Sequence, residues 1–270
     1  MNAIRDRGNQ SPAGGSTLLR QDACFFEADA RTALTRRAGV EGIGTLMLML
    51  AIVGSGQMSA RLAGAPSGLG LLIAALATAG ALIGLIVSFG AASGGHFNPL
   101  ITLLQWLRGE RGTACTVAYV AAQLAGGVIG AMLGSHMTVQ IEFHAGSVLP
   151  IHVVIASEML ASAGLMLVVF GCSRSGRTET GPFAVGAWLA AAIIAMPSMS
   201  YANPAVTIAA LFASGPAALQ GSTAAWFVLA ELAGALFALL LVNLVYPTWE
   251  PSEPGEAHSG NAGNNRGAKT

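Results

Sequence analysis

The sequence predicts an all-α membrane protein with six transmembrane helices and two re-entrant half-helices, built as an inverted repeat. Three observations predict it: apolar runs of spanning length, basic residues that alternate from loop to loop, and two Asn-Pro pairs that each open an apolar stretch too short to cross a bilayer.

Of the 270 residues, 53% are hydrophobic and 10% charged, and the mean hydropathy is +0.62. Soluble domains carry roughly 25% charged residues, so this composition calls for lipid as solvent and the bilayer as first partner. A formal net charge of zero offers nothing to a nucleic acid. The three cysteines, Cys24, Cys115 and Cys172, are scattered singly and read as small hydrophobes rather than a disulfide framework or metal cluster.

Apolar runs of spanning length lie at about 40–58, 68–90, 113–135, 151–172, 181–199 and 222–246. Pro197 interrupts the end of the fifth. An even number of spans puts both termini on one side. Six arginines precede the first span, Arg108 and Arg111 follow the second, Arg174 and Arg177 follow the fourth, and Arg266 and Lys269 follow the sixth. Only Arg61 of the 13 basic residues falls on the other side. The positive-inside rule then makes both termini cytoplasmic, in a cell (inner) membrane.

The chain repeats itself. Glu41-Gly-Ile-Gly-Thr45 is matched by Glu158-Met-Leu-Ala-Ser162, His96-Phe-Asn-Pro-Leu-Ile-Thr-Leu103 by Tyr201-Ala-Asn-Pro-Ala-Val-Thr-Ile208, and Ala122-Gln-Leu-Ala-Gly-Gly127 by Ala230-Glu-Leu-Ala-Gly-Ala235. Each copy holds three spans, an odd number, so the second is inserted upside down. Inverted repeats place their functional site near the midplane, where the halves meet.

Asn98-Pro99 and Asn203-Pro204 read as half-helix starts. Asn is a favoured N-cap, and Pro suits the first turn because its missing N–H would have had no partner there. The following stretches, Leu100 to about Leu107 and Ala205 to about Ala213, are too short to span. Irregular backbone at membrane depth is tolerable only where protein buries it or water wets it, which makes each segment a re-entrant loop. Two half-helix N-termini meeting at the midplane would offer the Asn98 and Asn203 amides and repel cations. Such a centre suits an uncharged solute that exchanges its hydration for these donors and for carbonyls of Gly94 to Phe97 and Ser200 to Ala202.

These segments resemble the major intrinsic protein family, the aquaporins and aquaglyceroporins. Ser93-Gly-Gly-His-Phe-Asn98-Pro99 is similar to its first signature, with Leu100 in place of the usual alanine, and Asn203-Pro204-Ala205 to its second. The resemblance covers about residues 38–247 and implies an aquaporin-like right-handed bundle, one pore per subunit and a homotetramer. It places the channel domain at 38–247, with repeats at about 38–136 and 150–247, between polar cytoplasmic tails at 1–37 and 248–270.

The resemblance also implies an outer constriction of four positions, one of them usually an arginine three residues after the second asparagine. Here that residue is Val206; the others fall on Thr78, Ala191 or Ala192, and Ser200. A ring without guanidinium loses five donors and a fixed charge, and is expected to be wide. It would pass glycerol-like polyols, neutral metalloid hydroxides such as arsenous acid, and water.

The remaining polar residues have plainer readings. Glu41, Glu158 and Glu231 lie in spans, where a carboxylate needs partners. By resemblance Glu41 and Glu158 accept loop N–H groups; a gradient-coupled secondary transporter using these glutamates is the alternative. His96, whose counterpart is Tyr201, reads as loop packing rather than a switch or metal ligand. His136, His144 and His152 show no metal spacing. Gly126, Gly127, Gly130 and Gly134 let helices approach closely. No cofactor, nucleophile–base pair or phosphate loop is indicated, and the chain is not read as an enzyme.

Overall fold

The computed structural model describes residues 32–63, 68–137 and 150–246. Most of the N-terminal tail, the whole of the C-terminal tail, Cys24 and His144 lie outside the described residues. The helices are α1 Leu34–Ala63, α2 Gly68–Ser93, α3 Pro99–Leu107, α4 Thr113–Met137, α5 Ile151–Arg174, α6 Gly181–Ala195, α7 Pro204–Ala209 and α8 Gly221–Val245. Helix α1 starts four residues before the expected domain boundary at 38.

Five helices, α1, α2, α4, α5 and α8, are long and apolar enough to cross a membrane. Helix α6 is shorter than the expected run at 181–199. Its 15 residues rise about 22 Å, and it stops at Ala195 because Pro197 disfavours helical backbone in the residue before it. Met196 is already extended, and the Met199 N–H closes a turn onto the Met196 carbonyl at 2.9 Å. Large apolar side chains such as Leu69, Leu76, Leu133, Leu229, Leu236 and Leu240 point outward, a surface suited to hydrocarbon rather than water.

The two repeats are visible in the packing. Helix α1 packs most extensively on α4, and α5 on the corresponding α8. A Cβ on Gly126 would stand 2.0 Å from the Gly42 carbonyl oxygen, and one on Gly234 would stand 2.2 Å from that of Met159. These are equivalent contacts in the two halves. Gly130 and Gly134 continue the α4 stripe against Leu46 and Val53 of α1, while Gly127 backs onto Ala205 and Ala209 of α7. Without a hydrophobic drive between helices in lipid, such close backbone approach is a main source of association.

Helices α3 and α5 end alike. After α3, Gly109 takes φ +72°, its N–H reaches the Trp106 carbonyl, and the Glu110 N–H reaches that of Gln105. After α5, Gly176 at φ +68° bonds Ser173, and the Arg177 N–H bonds Cys172. Both are Schellman endings. They bring Arg108, Glu110 and Arg174 together, and Arg108 also donates to Asn243 at the end of α8 (2.9 Å), so this end joins both repeats.

Candidate pore centre and its lining

Asn98 and Asn203 cap their half-helices as the sequence leads one to expect. Asn98 Oδ1 accepts from the Leu100 N–H at 2.9 Å, and Asn203 Oδ1 from those of Ala205 (3.0 Å) and Val206 (3.4 Å). With Oδ1 facing its own helix, each Nδ2 faces the other repeat. Asn98 Nδ2 donates to the Ala202 carbonyl at 2.9 Å, and Asn203 Nδ2 to the Phe97 carbonyl at 2.8 Å. An amide nitrogen has two donors. One is used in this reciprocal clasp, and the second can serve a solute.

The loops entering these caps follow one path. Gly94, Gly95 and Phe97 have φ of +98°, +64° and +46°, and their counterparts Met199, Ser200 and Ala202 have +61°, +51° and +46°. Left-handed backbone on non-glycine residues costs about 1–2 kcal/mol each, so buried partners must hold it. Glu41 supplies them in the first repeat: Oε1 accepts from Ser93 Oγ (2.6 Å) and the His96 N–H (3.0 Å), Oε2 from the Phe97 N–H (2.7 Å) and Gln123 Nε2 (2.8 Å). Glu158 does the same in the second, accepting from the Tyr201 and Ala202 N–H groups at 2.9 Å each. The hydroxyls of Ser93 and Ser198 in turn accept from the Gly95 and Ser200 N–H groups.

A second tier lies beneath each asparagine. Glu231 accepts from the Asn203 N–H (3.1 Å) and from Thr207 Oγ1 (2.5 Å); its counterpart Gln123 donates to Thr102 Oγ1 (3.2 Å). Thr102 and Thr207 each stand four residues after an asparagine. The sequence displays that repeat, but an apolar helix gives threonine no special prominence, and their role as loop anchors was not read from it. Glu41, Glu158 and Glu231 are fully buried.

One cavity runs past both asparagines. Its wall is mainly aliphatic, with Leu48 and Ile52 from α1, Leu82 and Ile86 from α2, and Leu165 and Val169 from α5. Its polar lining is Thr78, His96, Asn98, Ser200, Tyr201 and Asn203; Val206 lines it as well. Among the described residues no Asp, Glu, Lys or Arg lines it. The alanine expected from the fifth span does not reach this wall. Helix α6 presents Val185, Leu189 and Ile193 instead, a four-residue step along one face. Ala191 lies half a turn away and is exposed, and Ala192 is buried off the wall. Within the unbroken α6 the wall-facing stripe runs Val185, Leu189, Ile193, and at about 3.6 residues per turn Ala191 and Ala192 fall off that stripe. Pro99, Leu100, Pro204 and Ala205 are buried behind the asparagines and do not line the cavity. Among the described residues no group of three or more His, Cys, Asp or Glu could hold a metal ion.

The family model for major intrinsic proteins matches residues 29–202. The chain belongs to the major intrinsic protein family. It is 34% identical over 227 residues to the aquaglyceroporin AqpS of Rhizobium meliloti (strain 1021), covering 82% of this chain and 93% of that one. It is 32% identical over 173 residues to aquaporin-8 of Mus musculus, covering 58% and 64%. The X-ray structure of the aquaglyceroporin from Plasmodium falciparum has the same fold, with a TM-score of 0.60 at 16% identity, over 78% of this chain and 100% of that one. As a major intrinsic protein this is an integral membrane channel for small solutes and not an enzyme.

Proposed function

We propose that this channel passively conducts small uncharged solutes of polyol and metalloid-hydroxide size, glycerol-like molecules and arsenous acid among them, and water, through a filter that lacks arginine. The observation that carries this reading is the cavity's lining: aliphatic walls, a few neutral hydrogen-bonding groups, and Val206 in place of a cation. Aliphatic walls accept the carbon face of a polyol, while Thr78, Ser200 and the two asparagine amides exchange hydrogen bonds with its hydroxyls. Thr78, Ser200 and Val206, with Ile193 or Leu189 from α6, are the residues assigned to this filter. That AqpS carries the name aquaglyceroporin supports the same class of solute.

Gradient coupling does not fit the buried glutamates. All three stand off the cavity and are engaged with loop backbone or with the side chains that hold it. In this reading both tails are cytoplasmic, the channel domain spans 38–247, and the assembly is a homotetramer in the cell (inner) membrane.

Val206→Arg tests the filter. In vesicles of equal protein density, glycerol and arsenous acid conductance should fall more than water conductance, because a guanidinium narrows the ring and adds fixed donors. Equal loss for every solute would indicate blockage. No change for any of them would take Val206 out of the filter.

A further inference from the structure

Arg111 reads in the sequence as one of the topogenic basic residues, yet its side chain is buried, 7% exposed, the only Lys or Arg so buried among the described residues. The site is built to hold it. The guanidinium carbon stacks 4.6 Å above the Tyr119 ring, Nε donates to Gln105 Oε1 at 2.9 Å, and one terminal nitrogen lies 3.0 Å from Cys115 Sγ. The other terminal nitrogen lies 3.4 Å from Nε2 of His96, a residue that lines the cavity.

This contact bears on where the proton of His96 sits. Arginine in a protein is always charged and has donors but no acceptor. Nε2 beside it therefore acts as acceptor and carries no hydrogen. That assigns the ring hydrogen to Nδ1, which lies 2.9 Å from Thr102 Oγ1. The count closes at that threonine: its oxygen takes hydrogens from His96 and from Gln123 Nε2, and its own hydrogen goes to the Asn98 carbonyl at 3.3 Å. The groups around the imidazole agree. From α1, Glu41 binds the His96 main-chain N–H; from α4, Tyr119 meets the ring edge-on at 5.7 Å; from α3 comes Thr102; and from the turn before α4 comes Arg111 itself. The one carboxylate in this shell is engaged by the backbone, and the one fixed cation faces Nε2.

We propose that Arg111 is a positioning residue that locks His96 in its Nδ1–H tautomer and so makes solute flux insensitive to pH. With both ring nitrogens engaged, the imidazole can neither take a proton from water in the cavity nor turn into the passage on protonation. Its second proton would have to stand against the guanidinium. The flux part rests on the channel reading above; the tautomer part does not.

Nitrogen-15 NMR of histidine-labelled protein in bilayers reads the tautomer directly. His96 in the wild type should give neutral Nδ1–H signals throughout about pH 5 to 8, the range in which a free imidazole titrates. An Nε2–H tautomer, or titration within that range, overturns the proposal whether or not any variant folds. Stopped-flow glycerol and water flux in proteoliposomes reads the consequence. Wild-type flux should be level with pH, whereas Arg111→Met should change by about threefold or more between pH 5 and 8. The double variant Arg111→Met/His96→Asn should be level again. Flux of Arg111→Met that is lower by one factor at every pH, with His96 signals unchanged, would reduce Arg111 to a packing role and overturn the proposal. Absence of both glycerol and water flux in assembled wild type would instead count against the channel reading, with the tautomer still decided by NMR.

Discussion

At the residue scale, the pore centre depends on donors that each repeat lends to the other. Replacing Asn98 or Asn203 by Asp keeps an oxygen for the cap but removes the hydrogen that satisfies the opposite carbonyl, and it places a charge in the cavity lining. Each variant should lose about 1–3 kcal/mol of stability and most of its flux, read by thermal unfolding in detergent and by vesicle swelling. Folding and flux that stay intact in both would show that the amides are dispensable. For the glutamates the expectation differs. Gln at position 41 keeps an oxygen for two of the four donors and turns its own NH2 toward the other two, so Glu41→Gln should cost about 2–4 kcal/mol, and Glu158→Gln less. Correctly assembled protein should conduct in both cases. The asparagines and glutamates were legible in the sequence because they are polar residues in apolar runs, repeated in register. Arg111 was not, because a short turn between helices hides which way a side chain folds back. Ile193 was not either, because α6 is apolar on every side and its sequence does not say which stripe faces the cavity.

At the element scale, small residues set how closely helices pack. Gly126→Ala and Gly234→Ala should each destabilise by about 1–3 kcal/mol or more, since the added carbon meets a backbone carbonyl that cannot move aside. Gly54→Ala and Gly84→Ala, where a Cβ meets nothing within 4 Å, should be neutral or stabilise by up to about 1 kcal/mol. Differential melting of the four variants decides this, and equal effects at all four sites would contradict the packing described. Element identities and most ends were readable from hydropathy and from Pro and Gly punctuation. The early stop of α6 was not located, because its apolar run continues through Pro197 to Met199. What ends the helix is backbone geometry, while hydropathy reports only solvent preference.

At the scale of the whole molecule, no carboxylate among the described residues lines the cavity to bind a coupling ion. Glycerol flux in proteoliposomes should therefore be unchanged when proton and sodium gradients are imposed or collapsed, and it should show no saturation over millimolar concentrations. Gradient dependence would restore the transporter alternative. The inverted repeat was visible from three matched landmarks, but the clasp between its halves was not, since a sequence repeat says that two loops are alike and not that they hold each other. That clasp bears on how the protein is made. Asn98 and its acceptor at Ala202 lie 104 residues apart, about 5–20 s of synthesis at roughly 5–20 residues per second. Until the second repeat enters the membrane, the first loop has an amide and a carbonyl without their lasting partners, and hydrocarbon would penalise both. The clasp can form only once both repeats are in place, so the pore centre is completed after the second repeat has entered the membrane.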